Sequence, residues 1–151
     1  MRTQVQFRPA VQDDLPAILE LVLADRYAST REDASNLECY QGAFERIQQS
    51  PDNELIVGVL DGRIVATLQL TFIPGLTYEG GWRAQVEAVR VCSDLRSRGV
   101  GTQLMNWVIA RARERGCCLV QLTTDLRRVD AKRFYQRLGF LGSHAGMKLK
   151  L

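Results

Sequence analysis

What this chain lacks narrows its function before any motif is read. No apolar run approaches the ~20 residues that a helix needs to cross a bilayer, so the sequence offers no membrane span. The opening residues, Met1-Arg2-Thr3-Gln4-Val5-Gln6-Phe7, hold no apolar segment of the signal-peptide kind, and the expectation is a cytoplasmic protein. A lone histidine, His144, and four cysteines without a Cys-x-x-Cys pair supply no common zinc set. Cys39, Cys92, Cys117 and Cys118 are therefore expected as reduced, mostly buried thiols, with no metal. A net charge of only +3 gives no ground for general nucleic-acid binding. Two familiar phosphate loops are also missing: no Gly-x-x-x-x-Gly-Lys-Ser/Thr occurs, and Leu104 stands where a dinucleotide fingerprint needs its third glycine.

What is present fits one domain over residues 1–151. A chain of this length buries about 68–70% of its unfolded surface, and 46% hydrophobic with 25% charged residues is ordinary for a globular protein. The chain is organised around Val86–Trp107. Val86-Glu87-Ala88-Val89-Arg90-Val91 alternates as a strand, whereas Val100, Leu104, Trp107 and Val108 recur on one helical face. Between them run Arg96-Ser97-Arg98-Gly99-Val100-Gly101-Thr102. Glycine in a helix costs about 1 kcal/mol against alanine, so Gly99 and Gly101 answer a need other than helix propensity. The first amides of a helix lack internal partners and carry the positive end of its dipole; bare glycine backbone lets an anion reach them. With Arg96 and Arg98 alongside, a diphosphate is the natural guest. Further arginines crowd the second half, either as a solvated surface or as a basic rim around a phosphorylated cofactor.

Along the rest of the chain, Val5 and Phe7 mark a short strand closed by Pro9, and Leu15, Ile18, Leu19 and Val22 a helix capped by Asp13 or Asp14. A loop precedes a second helix carrying Tyr40, Phe44 and Ile47. Asp61-Gly62 joins two antiparallel strands, Leu55–Leu60 and Ile64–Phe72. A loop follows at Tyr78–Trp82. After the helix from Gly99 to Arg115 come a strand at Cys118–Thr124, a short helix carrying Ala131, Phe134, Tyr135 and Leu138, and a last strand within Leu141–Leu151. Strand, helix, strand from Val86 to Thr124 implies parallel pairing with a right-handed crossover.

A second signature, Ala131-Lys132-Arg133-Phe134-Tyr135-Gln136-Arg137-Leu138-Gly139-Phe140, joins the Arg-x-x-Gly-x-Gly loop. Together, in this order, they closely resemble the GNAT superfamily of acetyl-CoA-dependent N-acetyltransferases. The resemblance implies an α/β (α+β) fold: a mixed, twisted sheet of about six to seven strands splayed between the fourth and fifth, flanked by about four helices. Acetyl-CoA would lie in the splay, held by backbone at Val89, Arg90 and Val91 along its pantetheine arm and at its pyrophosphate by amides from Arg96, Ser97, Arg98, Gly99, Val100, Gly101 and Thr102. Where the family often has asparagine, seven residues before its tyrosine, this chain has Arg128, which the reading assigns to the cofactor's 3′-phosphate. The resemblance gives Tyr135 the task of protonating the departing thiolate.

A primary amine near pKa 10.4 must lose a proton before it attacks a thioester. Alternation puts Glu87 on the face of Val89 and Val91, which makes it the candidate base, directly or through a water, against an ordinary strand carboxylate. Direct transfer to an amine of a small molecule or peptide is expected, with no covalent enzyme intermediate and no nucleic-acid or membrane partner; dimers are common in the resembled family. The competing class is a non-catalytic CoA-binding sensor that keeps the loop without turnover.

Overall fold

The computed structural model describes residues 4–151; Met1, Arg2 and Thr3 of the N-terminal reading lie outside the described residues. Five strands, β1 (Gln6–Pro9), β2 (Asn53–Leu60), β3 (Arg63–Ile73), β4 (Trp82–Val91) and β5 (Cys117–Leu122), form one sheet in the order β1-β2-β3-β4-β5. The first four are joined in antiparallel pairs, β1 with β2, β2 with β3 and β3 with β4. The β2–β3 turn is the expected one: Asp61 and Gly62 have φ of 49° and 77°, the pair of left-handed residues that a two-residue hairpin needs. Gly81 abuts Cys118 and Gln85 meets Gln121, so β4 and β5 advance in the same direction. Backbone contacts divide the chain into a unit ending at Gln121 and a second unit, Leu122–Leu151.

In the first unit the sheet has two unlike faces. On one, Ala66, Leu68, Leu70 and Phe72 of β3, with Ala84 and Val86 of β4, are all 2% exposed or less. Helix α4 (Val100–Glu114) lies here through Val100, Leu104, Met105, Val108 and Ala112. Packing is tight enough that a Cβ on Gly58 would stand 2.8 Å from the Phe7 ring. On the other face Val57 packs with Ala10, Leu15, Ile18 and Phe44, the apolar stripes of α1 (Leu15–Leu23) and α2 (Leu37–Gln49).

The arginines of α4 have structural employment. Arg111 binds Glu54 of β2 and Glu114, whereas Arg115 pairs with Asp52 and lies 4.2 Å from the centre of the Phe72 ring. Neither a solvated surface nor a cofactor rim accounts for these two residues. They fasten the helix to the strand edge.

Other expectations change in detail. The loop at Tyr78–Trp82 contains a single turn, α3 (Thr77–Gly80), in which Tyr78 and Glu79 both have left-handed φ, 54° and 57°. The last strand is not formed: residues 141–151 carry no regular structure and are exposed throughout, because Met147 and Leu149 have no neighbouring strand that would bury one side of their alternation. Of the cysteines only Cys92 is buried, and all four are free. In the second unit, α5 (Val129–Arg137) carries Phe134 and Tyr135, whose rings pack edge to face at 5.2 Å; Tyr135 makes a similar contact with Phe140 at 5.8 Å.

Asp14 does not cap α1 forwards. Its buried carboxylate turns back to accept from both Arg8 guanidinium nitrogens, at 2.6 and 3.0 Å, and from the Val11 amide at 2.8 Å. The Arg8 hydrogen bonds chiefly hold its pKa below the usual carboxylate range, against the opposing effect of burial. A depressed native pKa stabilises the fold above the unfolded value near 3.9 and ceases to do so as pH falls through the native value. Asp14→Asn is therefore expected to cost about 1–3 kcal/mol at pH 7. The deficit should shrink steadily below about pH 4, which urea denaturation of both proteins across that range will show.

Candidate active site

Two features of the backbone shape the region that the sequence singled out. The first is the loop between β4 and α4. A 3-10 turn at Ser93–Leu95 leads to Arg96; Ser97 and Gly99 then adopt left-handed φ of 60° and 82°. Alternating hands of this kind turn successive amides inward as a concave anion nest. Gly99 is the N-cap of α4, and the amide of Gln103 is the first to return to it, at 3.0 Å. Val100, Gly101 and Thr102 therefore present the helix's first amides, which have no acceptor one turn back. Arg96, Ser97, Arg98 and Gly99 are exposed, and a Cβ at Gly99 would meet nothing within 4 Å. Asp94 beside them is neutralised by Arg63, at 2.9 Å, which holds its carboxyl below the ordinary range. The loop thus offers amides and cations to an anion with its own nearest carboxylate already engaged.

The second feature is a bulge in β4. Gln69 pairs with Glu87 but Thr67 pairs with Arg90, so one residue of β3 faces two of β4, and Ala88 takes φ of 53°. This corrects the expected alternation. Glu87 does not share the face of Val91, which pairs with buried Ala66; it lies with Gln69, Thr67 and Arg90 on the opposite face. Period-two counting fails because the extra residue flips every side chain beyond it.

That face is polar and partly open where α1 and α2 do not cover it. The Gln69 amide and Thr71 hydroxyl both donate to Asn53 Oδ1, at 3.2 and 2.7 Å, and Gln121 donates to Gln85 Oε1 at 2.8 Å. Sequence reasoning missed these residues, although Thr67-x-Gln69-x-Thr71 and Arg83-x-Gln85-x-Glu87 show a polar period of two inside otherwise apolar strands. Glu87 is exposed and joins no ion pair among the described residues. β5 stops at Leu122, after reaching Gln85 through Gln121, whereas β4 runs on to Val91.

Arg90, expected at the cofactor through its backbone, commits its side chain elsewhere. It donates to Val89 O at 2.9 Å and to Asp25 at 3.2 Å. Asp25 is buried just beyond α1 and also binds Arg31 at 3.1 Å. A carboxylate between two guanidiniums thus ties α1 to the outer half of β4. No sequence pattern announced it. In the second unit, Arg128 is the N-cap of α5, its amide donating to Asp125 O at 2.9 Å. Tyr135 sits half-buried on the same helix between two phenylalanine rings.

With this geometry in hand, comparison with known proteins decides the family. The sequence profile of the acetyltransferase (GNAT) family matches residues 15–140. The chain belongs to the GNAT acetyltransferase family. Aminoalkylphosphonate N-acetyltransferase of Salmonella typhimurium is 24% identical over 139 residues, covering 92% of this chain and 86% of that protein. A crystal structure of a transcriptional regulator from Bacillus halodurans superposes with a TM-score of 0.94 at 45% identity, covering 98% of this chain and all of the other. The structure of AAC(6')-Iy in complex with the bisubstrate analogue CoA-S-monomethyl-acetylneamine shares the fold, with a TM-score of 0.80 at 16% identity over 98% of each chain. This GNAT protein is thus an acetyl-CoA-dependent acyltransferase, and no helix among the described residues is long and apolar enough to cross a membrane.

The Asp25 clasp makes a testable demand. A pair whose carboxylate is 4% exposed and whose Arg90 is 15% exposed lies between the ~1 kcal/mol of a surface ion pair and the ~3–5 kcal/mol lost on breaking a buried one. Asp25→Ala and Arg90→Ala should each lose about 2–4 kcal/mol, and the double variant clearly less than their sum, in a denaturation cycle.

Proposed function

We propose that this GNAT enzyme moves the acetyl group of acetyl-CoA directly to the primary amine of a small polar molecule. The observation that carries the reading is Glu87: an exposed, unpaired carboxylate at the end of a polar floor, on the stretch of β4 that β5 leaves without a neighbour. A carboxylate there accepts the proton an ammonium must lose, directly or through a water, and leaves a neutral amine to attack. Asn53, Gln69, Thr71 and Gln85 supply hydrogen-bonding groups suited to a polar acceptor rather than a greasy one. Arg83 lies on the same face, at the far end of the floor from Glu87. Its guanidinium charge favours an acceptor bearing an anionic group, in keeping with the Salmonella relative, an aminoalkylphosphonate N-acetyltransferase.

The loop fits the cosubstrate. Left-handed Ser97 and Gly99, the first amides of α4 and the exposed Arg96 and Arg98 match the demands of a diphosphate. Val89, Arg90 and Val91 would hold the arm through backbone, and Arg128 the 3′-phosphate. Acetyl-CoA supplies the activated acyl group. The protein's own remaining task is to protonate the leaving sulfur, which Tyr135 would perform through its hydroxyl.

A second reading has one observation in its favour. The Bacillus halodurans protein, 45% identical, is named a transcriptional regulator, which supports a regulatory reading of this chain. A CoA-binding sensor would bind acetyl-CoA but release no thiol with any amine. A panel of aminoalkylphosphonates, amino sugars, polyamines and peptide amines, followed by thiol release, separates the two readings.

Variants at three positions test the site. Gly99→Ala adds a Cβ to a left-handed residue with open space around it. It should cost about 1–2 kcal/mol of stability and weaken acetyl-CoA binding in part, through bulk at the diphosphate, whereas Gly99→Asp should abolish the calorimetric binding signal through bulk and charge together. Glu87→Gln should slow turnover by about 10²-fold or more below the amine's pKa and much less above it; a rate–pH profile overlaying the parent's would make Glu87 structural. Tyr135→Phe should lower kcat by a similar factor with acetyl-CoA affinity nearly kept, because both ring contacts survive the loss of the hydroxyl.

A further inference from the structure

Arg63 opens β3 directly after the left-handed pair Asp61 and Gly62, so the hairpin turn delivers its side chain beside the end of β4. There the β3–β4 ladder runs one step past β4, with the Cys92 amide donating to Val65 O at 2.8 Å. The guanidinium reaches across to the 3-10 turn Ser93–Leu95, which leads into the anion nest. Its Nη1 and Nη2 donate to the two Asp94 carboxylate oxygens at 2.9 and 3.2 Å, and Nη2 also donates to Cys92 Sγ at 3.4 Å. Two parallel bonds fix the orientation of the fork as well as its distance.

Stability does not explain the pair. Arg63 is 58% exposed and Asp94 55%, and an ion pair so open to water contributes little to folding. Nor does the turn need it for its shape. Leu95 is buried, its amide returns to Cys92 O at 3.1 Å, and the amides of Arg96 and Arg98 return to Ser93 O and Leu95 O at 3.4 and 3.3 Å. What the pair changes is charge. Asp94 is the one carboxylate between Ser93 and Thr102. The Arg63 hydrogen bonds chiefly hold it below the ordinary range, and Arg98 is near enough to add a smaller pull of its own. Without Arg63, Asp94 would draw on Arg98, and the loop would lose a cation where an anion is to sit.

The geometry points to Arg63 as a positioning residue for the acetyl-CoA diphosphate: by occupying Asp94 it leaves Arg98 and the first amides of α4 turned to the anion. This rests on the reading of the loop as the diphosphate site. Arg63 acts through Asp94, so its loss unmasks one negative charge beside the diphosphate. That is worth about 5- to 20-fold in affinity at low salt, and less as salt shortens the Debye length to about 3 Å at ~1 M.

Calorimetric titration of the full chain with acetyl-CoA tests this through a cycle of charges. Arg63→Ala should weaken binding about 5- to 20-fold at ~20 mM salt and by much less at ~1 M. Asp94→Asn should bind at least as tightly as the parent, and Arg63→Ala combined with Asp94→Asn should return to within about threefold of it. A brace for the loop behaves differently, because removing either half breaks it: Asp94→Asn would then weaken binding as Arg63→Ala does, and the double variant would stay weak. That pattern, or an Arg63→Ala protein that binds like the parent, overturns the proposal. Should Arg63→Ala fail to fold, Asp94→Asn alone decides, kept affinity supporting the mask and lost affinity refuting it. Gly99→Asp separates this role from the reading beneath it. Binding that survives Gly99→Asp removes the loop from the site and the proposal with it. Binding lost in Gly99→Asp but unchanged in Arg63→Ala leaves the loop in place and refutes the role of Arg63 alone.

Discussion

The position of everything reactive in the first unit depends on one packing contact, that of α4 against the apolar face of β3 and β4. Leu104, Met105 and Val108 of the helix, and Leu68 and Leu70 beneath them, show no exposure at all. Arg111 and Arg115 then clasp Glu54, Asp52 and the Phe72 ring, which stops the helix from sliding along its own axis. A helix so fixed fixes its N-terminus as well. The helix's first amides at Val100–Thr102 are therefore placed by the hydrophobic interface along the rest of α4, and the exposed loop before them leaves them open.

The opposite face is built on another principle. It is closed with apolar residues where α1 and α2 cover Val57, and it is left open and polar where Gln69, Thr71, Gln85 and Glu87 line up across β3 and β4. A sheet with one continuously buried face tolerates this, because the strands already have their anchorage. The Asp25 clasp with Arg90 and Arg31 then joins the outer part of β4 to the end of α1, just past the bulge.

Much of this was legible because it is local. Asp61-Gly62 specified its turn, Gly99 its left-handed N-cap, and the spacing of Val100, Leu104 and Val108 the buried face of α4. The Phe-Tyr-x-x-x-Gly-Phe signature located α5. What could not be read was tertiary or contrary to local preference. Alanine does not advertise positive φ, so the bulge at Ala88 was invisible and Glu87 was assigned to the wrong face. The partners of Arg111, Arg115 and Asp25 lie far away in sequence, and counting charges could not distinguish fasteners from a cofactor rim. The terminal strand failed for a related reason: the alternation from Met147 to Leu151 is real, but a strand also needs a neighbour.

The bulge gives β4 two reading frames. Before Ala88, even-numbered positions belong to the core and odd ones to the polar floor; after it, Arg90 takes the floor side and Val91 the core side. Among descendants of this sequence, the same kind of substitution therefore has opposite meaning on either side of one residue: a valine is housekeeping at 86 and an intrusion at 90. An insertion or deletion anywhere in the second half would exchange floor for core over its whole length. Drift in β4 is thus restricted to point changes, and the half-strand from Glu87 to Val91 evolves as a cassette whose length is inherited even where its side chains are not.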